Sequence, residues 1–252
     1  MTNKLKYFIG NWKMFGDFNS FKIIYKINQY AKRHKKTKKT KIVLCVPNFL
    51  IDFFKKKLKQ KAVSIGAQNC YHEEGYGPFT GATSAAMIKK MGAEYIILGH
   101  SENRAEGETP QLIKKKISSA LSQKLNVIFC IGEKLKDKKN GKTFSVIRNQ
   151  IQTSMEKKFN KNKIILAYEP VWSIGTNRIP KNKDLRNVIK FIKKNFKKKF
   201  NTKKLPKVLY GGSVSKNNIQ SLSSVKEIDG FLIGGASQSD KKFIDIIINY
   251  YK

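Results

Sequence analysis

Short apolar runs recur eight times along the chain, separated by longer amphipathic stretches. The runs are Tyr7–Ile9, Ile42–Val46, Val63–Ala67, Tyr95–Leu98, Val127–Cys130, Ile164–Tyr168, Val208–Tyr210 and Gly230–Ile233. They are rich in Val, Ile, Leu and aromatic residues and show little alternation with polar positions. Strands buried on both faces read this way, the condition in a parallel sheet. The intervening stretches carry helical spacing instead. Phe18, Phe21, Ile24, Tyr25 and Ile27 form one such set, and Leu112, Ile113, Ile117, Ala120 and Leu121 another. The second has a start signal, with Thr109 as N-cap and Pro110 at the first helical position, where its missing N–H is no loss. Pro180 is expected to open a helix through Leu185, Ile189, Phe191 and Ile192. Residues Ser237 to Asp240 are expected to precede the last helix, which carries Phe243, Ile244, Ile247 and Ile248.

Strand–helix alternation repeated eight times places the chain in the α/β class with parallel strands. Eight units in 252 residues predict a closed (β/α)8 barrel, for which about 250 residues is usual. An open doubly wound sheet has the same periodicity and stands as the alternative. No Pro-, Gly- or Ser-rich linker interrupts the pattern, so residues 1–252 are expected to form a single domain.

Charge adds the one unusual note. Lys and Arg number 52 against 17 Asp and Glu, a formal net charge of +35. With 40% hydrophobic residues there is enough apolar material for a core, which argues against disorder. A strong positive charge suggests a nucleic-acid or membrane-surface binder. The lysines, however, are scattered in short runs (Lys35-Lys36, Lys55–Lys57, Lys114–Lys116, Lys197–Lys199) without a stripe or aromatic interleaving. Solvated helix faces explain them more simply. The longest apolar segment, Ile42 to Phe54, is broken by Pro47, Asn48 and Asp52, too short a stretch to span a bilayer. The residues after Lys4 and Lys6 are too few and too polar for a secretory signal. Three well-separated cysteines, Cys45, Cys70 and Cys130, without a C-x-x-C pair, fit a reduced cytoplasmic protein lacking a disulfide framework or zinc site.

In a barrel of this kind the chemistry sits where the strands end. After the first run come Asn11 and Lys13; after the fourth, His100, Ser101 and Glu102; after the sixth, Glu169. The seventh and eighth are followed by Gly211-Gly212-Ser213 and Gly234-Gly235. Glycine pairs let backbone N–H groups approach an anion such as phosphate, although a tight turn reads the same way. Neither pair fits a Walker loop, and Gly75, Gly77 and Gly81 miss a dinucleotide fingerprint by one residue. A carboxylate at a strand end beside a dry pocket can act as a general base. An imidazole at the start of a helical turn, where the helix dipole favours a neutral ring, can donate a hydrogen bond to a developing oxyanion.

These residues stand in motifs that resemble the triosephosphate isomerase family over essentially the whole chain. The motifs are Gly10-Asn11-Trp12-Lys13-Met14, Gly99-His100-Ser101-Glu102, Cys130-Ile131-Gly132-Glu133 and Tyr168 to Thr176. Tyr210-Gly211-Gly212-Ser213-Val214 and Ile233-Gly234-Gly235-Ala236-Ser237 complete the set. The resemblance implies a single-domain TIM barrel. It also implies a glycolytic and gluconeogenic isomerase that interconverts dihydroxyacetone phosphate and glyceraldehyde 3-phosphate without metal or cofactor. Carried over by motif, Glu169 is the base, His100 the oxygen-polarising imidazole, Lys13 the charge on the substrate and Asn11 the group that fixes them. Gly175, Ser213, Gly234 and Gly235 are the implied phosphate ligands, and Ser101, Glu102 and Cys130 supporting residues. The segment Pro170 to Thr176 resembles the closing lid of the family.

The resemblance further implies a homodimer through the 71–80 loop, a triose phosphate as the small-molecule partner, no specific nucleic acid and no membrane. Three positions depart from the family pattern. Asn103 stands where an arginine is usual and Ala82 where a glutamate is usual, so one interface ion pair loses both partners together. Asn177 replaces a second lid glycine, and Asn tolerates left-handed dihedrals better than most residues. Another phosphate-binding barrel enzyme using the same glycine sites is the remaining enzymatic alternative.

Overall fold

A computed structural model describes residues 5–34, 39–59 and 61–252. Lys4 and the Lys35-Lys36 run lie outside the described residues. Eight parallel strands close on themselves in chain order: β1 (Lys6–Asn11), β2 (Thr40–Cys45), β3 (Val63–Ala67), β4 (Tyr95–Leu98), β5 (Asn126–Ile131), β6 (Ile164–Tyr168), β7 (Lys207–Tyr210) and β8 (Gly230–Ile233). β1 pairs with β2 on one side and with β8 on the other, Tyr7 lying opposite both Lys41 and Gly230. That closure removes the open-sheet alternative.

Both faces of the strands are buried, and for different reasons. Ile9, Val43, Ile97, Ile128, Ile165 and Leu209 fill the barrel interior, together with the small side chains of Cys45, Cys130 and Ala167. The residues between them, such as Phe8, Ile42, Ile96, Phe129, Leu166 and Phe231, point outward into a larger core beneath the helices. Hence the runs read as continuously apolar although the strand period is two.

The helices are α1 (Phe21–Arg33), α2 (Asn48–Lys57), α3 (Ala85–Lys90), α4 (Ser101–Ala105), α5 (Pro110–Ser122), α6 (Leu135–Lys139), α7 (Thr143–Ser154), α8 (Asn182–Lys199), α9 (Ile219–Ser223) and α10 (Asp240–Tyr250). α5 starts as its sequence predicts: the Thr109 hydroxyl accepts from the Leu112 N–H at 3.2 Å, with Pro110 at the first position. Two starts differ from expectation. Pro180 lies before α8, whose N-cap is Lys181. Phe18 belongs to a separate 3₁₀ turn, Phe18–Ser20, because the Asp17 carboxylate caps it by accepting from the Ser20 N–H at 2.9 Å. α10 opens after a 3₁₀ turn, Gly235–Gln238, with Ser239 as its cap. No helix among the described residues is long and apolar enough to cross a membrane.

Candidate active site

The C-terminal ends of β1, β4 and β6 bring three polar groups together. Asn11, the last residue of β1, is buried, and its Oδ1 accepts from the Lys13 N–H at 3.0 Å. That bond holds Lys13 in a left-handed conformation, φ 55°. For a residue with a Cβ such a conformation costs roughly 1–2 kcal/mol, so the surroundings must enforce it. The Lys13 ammonium lies 2.6 Å from Glu102 Oε1.

His100 follows β4 and caps α4. Its Nδ1 accepts from the Glu102 N–H at 3.3 Å. An accepting Nδ1 places the proton of a neutral ring on Nε2. Nε2 in turn lies 3.3 Å from Glu169 Oε1. Glu169 is almost completely buried, and its Oε2 accepts a long hydrogen bond, 3.4 Å, from the Ser101 N–H. Burial raises the Glu169 pKa above the usual carboxylate range. His100, the Ser101 N–H, the Cys130 thiol and Lys13 each pull it partly back. Burial also pushes the Cys130 thiol well up, and the Glu169 charge adds to that.

Two glycines make room for Glu169, one for its backbone and one for its side chain. A Cβ on Gly132 would come within 1.8 Å of the Glu169 carbonyl oxygen, and one on Gly211 within 2.9 Å of Glu169 Cγ. Arg104 braces the strand ends behind them: its guanidinium donates to the carbonyls of Gly99, at 2.7 Å, and Cys130, at 3.0 Å.

A cavity of about 290 Å³ opens above these groups. Asn11, Lys13, His100 and Glu169 line it together with Gly175, Ser213, Gly234 and Gly235. The eight residues expected to touch a ligand therefore meet at one site. Of the three supporting residues, Ser101 donates to Glu169, Glu102 holds Lys13 and Cys130 lies behind Glu169. Pockets of about 300–1,000 Å³ suit small molecules, and this one is at the lower limit. The described residues contain no cluster of three His, Cys, Asp or Glu side chains that could hold a metal ion.

The segment after Glu169 is anchored at both ends. Near its start, the Trp172 indole donates to Glu133 Oε1 at 2.9 Å, and the Tyr168 hydroxyl donates to the same carboxylate at 3.1 Å. Burial raises the Glu133 pKa, with those two donors opposing the shift. At its far end the Ser173 hydroxyl donates to the Arg178 carbonyl at 2.5 Å and lies 2.9 Å from the Tyr210 hydroxyl. Asn177 does adopt a left-handed conformation, φ 59°, and the Ser213 hydroxyl donates to its side-chain oxygen at 3.4 Å. Glu133, Tyr168, Trp172, Ser173 and Tyr210 were not among the expected site residues. Glu133 carried a signal nonetheless, since Gly132-Glu133 follows β5 and so falls on the same rim.

The loop from residue 71 to 80 is built rather than loose. The Tyr71 N–H donates to the Thr83 carbonyl at 2.8 Å, and the Tyr71 and Phe79 rings pack at 4.8 Å. Its tip leaves Tyr76 68% exposed and Phe79 39%, while Met14, beside Lys13, is fully exposed.

Fold and site together define a (β/α)8-barrel protein with a buried carboxylate–imidazole pair facing a small glycine-walled cavity. The family profile described as Triosephosphate isomerase matches residues 6–250. The chain is 38% identical over 250 residues to the triosephosphate isomerase of Dictyoglomus thermophilum, covering 96% of this chain and 98% of that one. It is 39% identical over 242 residues to that of Zygosaccharomyces bailii, covering 94% and 95%. The crystal structure of triosephosphate isomerase from Bartonella henselae superposes with a TM-score of 0.88 at 32% identity, covering 98% of this chain and 99% of that one. The chain belongs to the triosephosphate isomerase family.

Proposed function

We propose that the chain interconverts dihydroxyacetone phosphate and D-glyceraldehyde 3-phosphate by proton transfer through an enediolate, as a step of glycolysis and gluconeogenesis. Glu169 takes the proton from the carbon next to the carbonyl and returns it to the neighbouring carbon. The His100 Nε2–H donates to the substrate oxygen on which charge develops; an entering oxygen replaces Glu169 at that donor and frees the carboxylate to face carbon. Lys13 adds a positive charge beside the same oxygens, and Asn11 fixes the lysine. Preorganised donors of this kind stabilise a developing oxyanion best where water is excluded. Backbone N–H groups at Gly175, Gly234 and Gly235, with Ser213, hold the phosphate. Ser101, Glu102 and Cys130 position the acid–base groups, and residues 170–176 close over them, shielding the enediolate from loss of phosphate.

The observation that carries this reading is the 3.3 Å approach of His100 Nε2 to the buried Glu169 carboxylate at the cavity that Gly234 and Gly235 also line. A coupled assay on glyceraldehyde 3-phosphate tests it. Isomerisation should proceed without added metal, and Glu169→Gln should lose at least the roughly 10²–10⁴-fold that a general base contributes. Unchanged activity in that variant would remove Glu169 from the chemistry.

The same reading extends to assembly and location. Tyr76 and Phe79 put exposed apolar surface on the 71–80 loop, and Met14 beside Lys13 is exposed as well; we propose that this loop docks into a second copy to form a homodimer. Sedimentation equilibrium should give twice the chain mass, and Phe79→Asp should give the monomer. A single cooperative unfolding transition is expected of one domain spanning 1–252, and cell fractionation should place the protein in the cytoplasm.

A further inference from the structure

The wall formed by Gly234 and Gly235 runs on into α10, and in the first turn of that helix Lys242 lines the cavity beside them. A cation is poorly placed there by the helix itself, because the N-terminal turn carries positive partial charge and favours acidic residues. The acidic residue of that turn, Asp240, is paired with Lys26 at 3.3 Å. No carboxylate among the described residues lies within ion-pair distance of Lys242. The other ammonium in the cavity wall, Lys13, is shared with Glu102 at 2.6 Å, whereas Lys242 is not. The Lys242 N–H is taken by the Ser239 hydroxyl at 3.4 Å. What this turn offers the cavity is therefore the long, exposed side chain.

We propose that Lys242 is a phosphate-binding residue, whose ammonium closes the Gly234–Gly235 end of the cavity on the dianionic phosphate of the substrate. The proposal rests on the isomerase reading given above and deepens it. Backbone N–H groups at that end are neutral donors, and the one ammonium beside them, that of Lys13, whose Cε would lie 3.7 Å from a Cβ on Gly234, is shared with Glu102. A second, flexible ammonium offsets more of the dianion's charge and carries a charge-assisted hydrogen bond. Because the phosphate is the same in substrate, enediolate and product, Lys242 contributes uniform binding. Its loss should appear in KM and not in kcat.

The test compares Lys242→Gln with Lys241→Gln. Lys241 stands in the same turn, is exposed and does not line the cavity, so both variants lower the net charge equally. KM and kcat are measured for glyceraldehyde 3-phosphate, and the Kd of inorganic phosphate is measured by calorimetry. Lys242→Gln should raise KM and the phosphate Kd by about threefold to tenfold, with kcat unchanged. Lys242→Arg should restore both, and Lys241→Gln should match wild type. Equal behaviour of the two glutamine variants would overturn the proposal. Wild-type protein without isomerase activity would overturn the isomerase reading instead, and the phosphate titration would still decide whether Lys242 binds the anion.

Discussion

Gly211→Ala isolates the placement of the Glu169 carboxylate from its chemistry. The added methyl would sit 2.9 Å from Glu169 Cγ and 3.5 Å from its Oε1, whereas relaxed carbon–carbon contacts lie at about 3.5–4.0 Å. Relief requires a displacement of roughly 0.6–1 Å, and the imidazole of His100, the Ser101 N–H and the Cys130 thiol crowd the side chain from other directions. A misplacement of about 1 Å in a reacting group can cost on the order of 10²-fold in rate. Overpacking of this kind costs the fold about 1–3 kcal/mol, offset by about 0.4–1 kcal/mol from the stiffer unfolded chain. For a domain of this size each kcal/mol moves Tm by about 2–4 °C. The expected variant is therefore folded, melts no more than roughly 10 °C lower and binds inorganic phosphate normally. Its kcat/KM for glyceraldehyde 3-phosphate should fall about 100-fold. Wild-type kcat/KM in a folded variant would refute the claim that this contact sets the working position of the base.

Four further outcomes are expected. Burial raises the Glu169 pKa, so the acid limb of kcat/KM should lie above the ordinary carboxylate range. The native state then binds the proton more tightly than the unfolded chain, so stability falls as pH rises from the unfolded pKa through the folded one. Glu169→Gln should accordingly raise Tm at neutral pH, and a lower Tm would contradict the burial penalty. Trp172→Phe removes one of the donors to Glu133 and should increase inorganic phosphate released per isomerisation; an unchanged ratio would show that this anchor does not govern closure. All three cysteines are free and buried, and burial pushes the Cys70 thiol up to about 12. They should resist aromatic disulfide reagents in the native protein and react once it is unfolded, and rapid native labelling would contradict their enclosure.

Strands were the most legible part of the sequence. β3, β4, β6 and β8 coincide with their apolar runs residue for residue, because both faces of each are buried and the boundary falls where polarity returns. The start of α5 was legible because Thr109 and Pro110 mark it together, whereas the Asp17 cap that splits Phe18 from α1 carries no such second signal, and no side chain caps the start after Pro180. Most ligand-facing residues could be read because they stand at or just after a strand end, as Asn11, His100, Glu169 and Gly234 do; Gly175, seven positions beyond β6, could be read only through the family resemblance. The anchors of residues 170–177 could not, since the partnership of Glu133 with Trp172 spans 39 positions and rests on a shared burial that no local pattern encodes. Lys242 was hidden differently: among 52 cations, only its place at the cavity separates it from the rest.

Pairing of β1 with β8 makes the first and last strands neighbours, and the Gln238 amide fastens them by donating to the Trp12 carbonyl at 2.8 Å. A nascent chain would thus carry Asn11, Lys13, His100 and Glu169 long before it has the wall against which they work. Premature termination should yield inert fragments with an unpaired β1 edge, open to association, rather than slow isomerases. Quality control would have to recognise that raw edge, because no partial activity announces the defect.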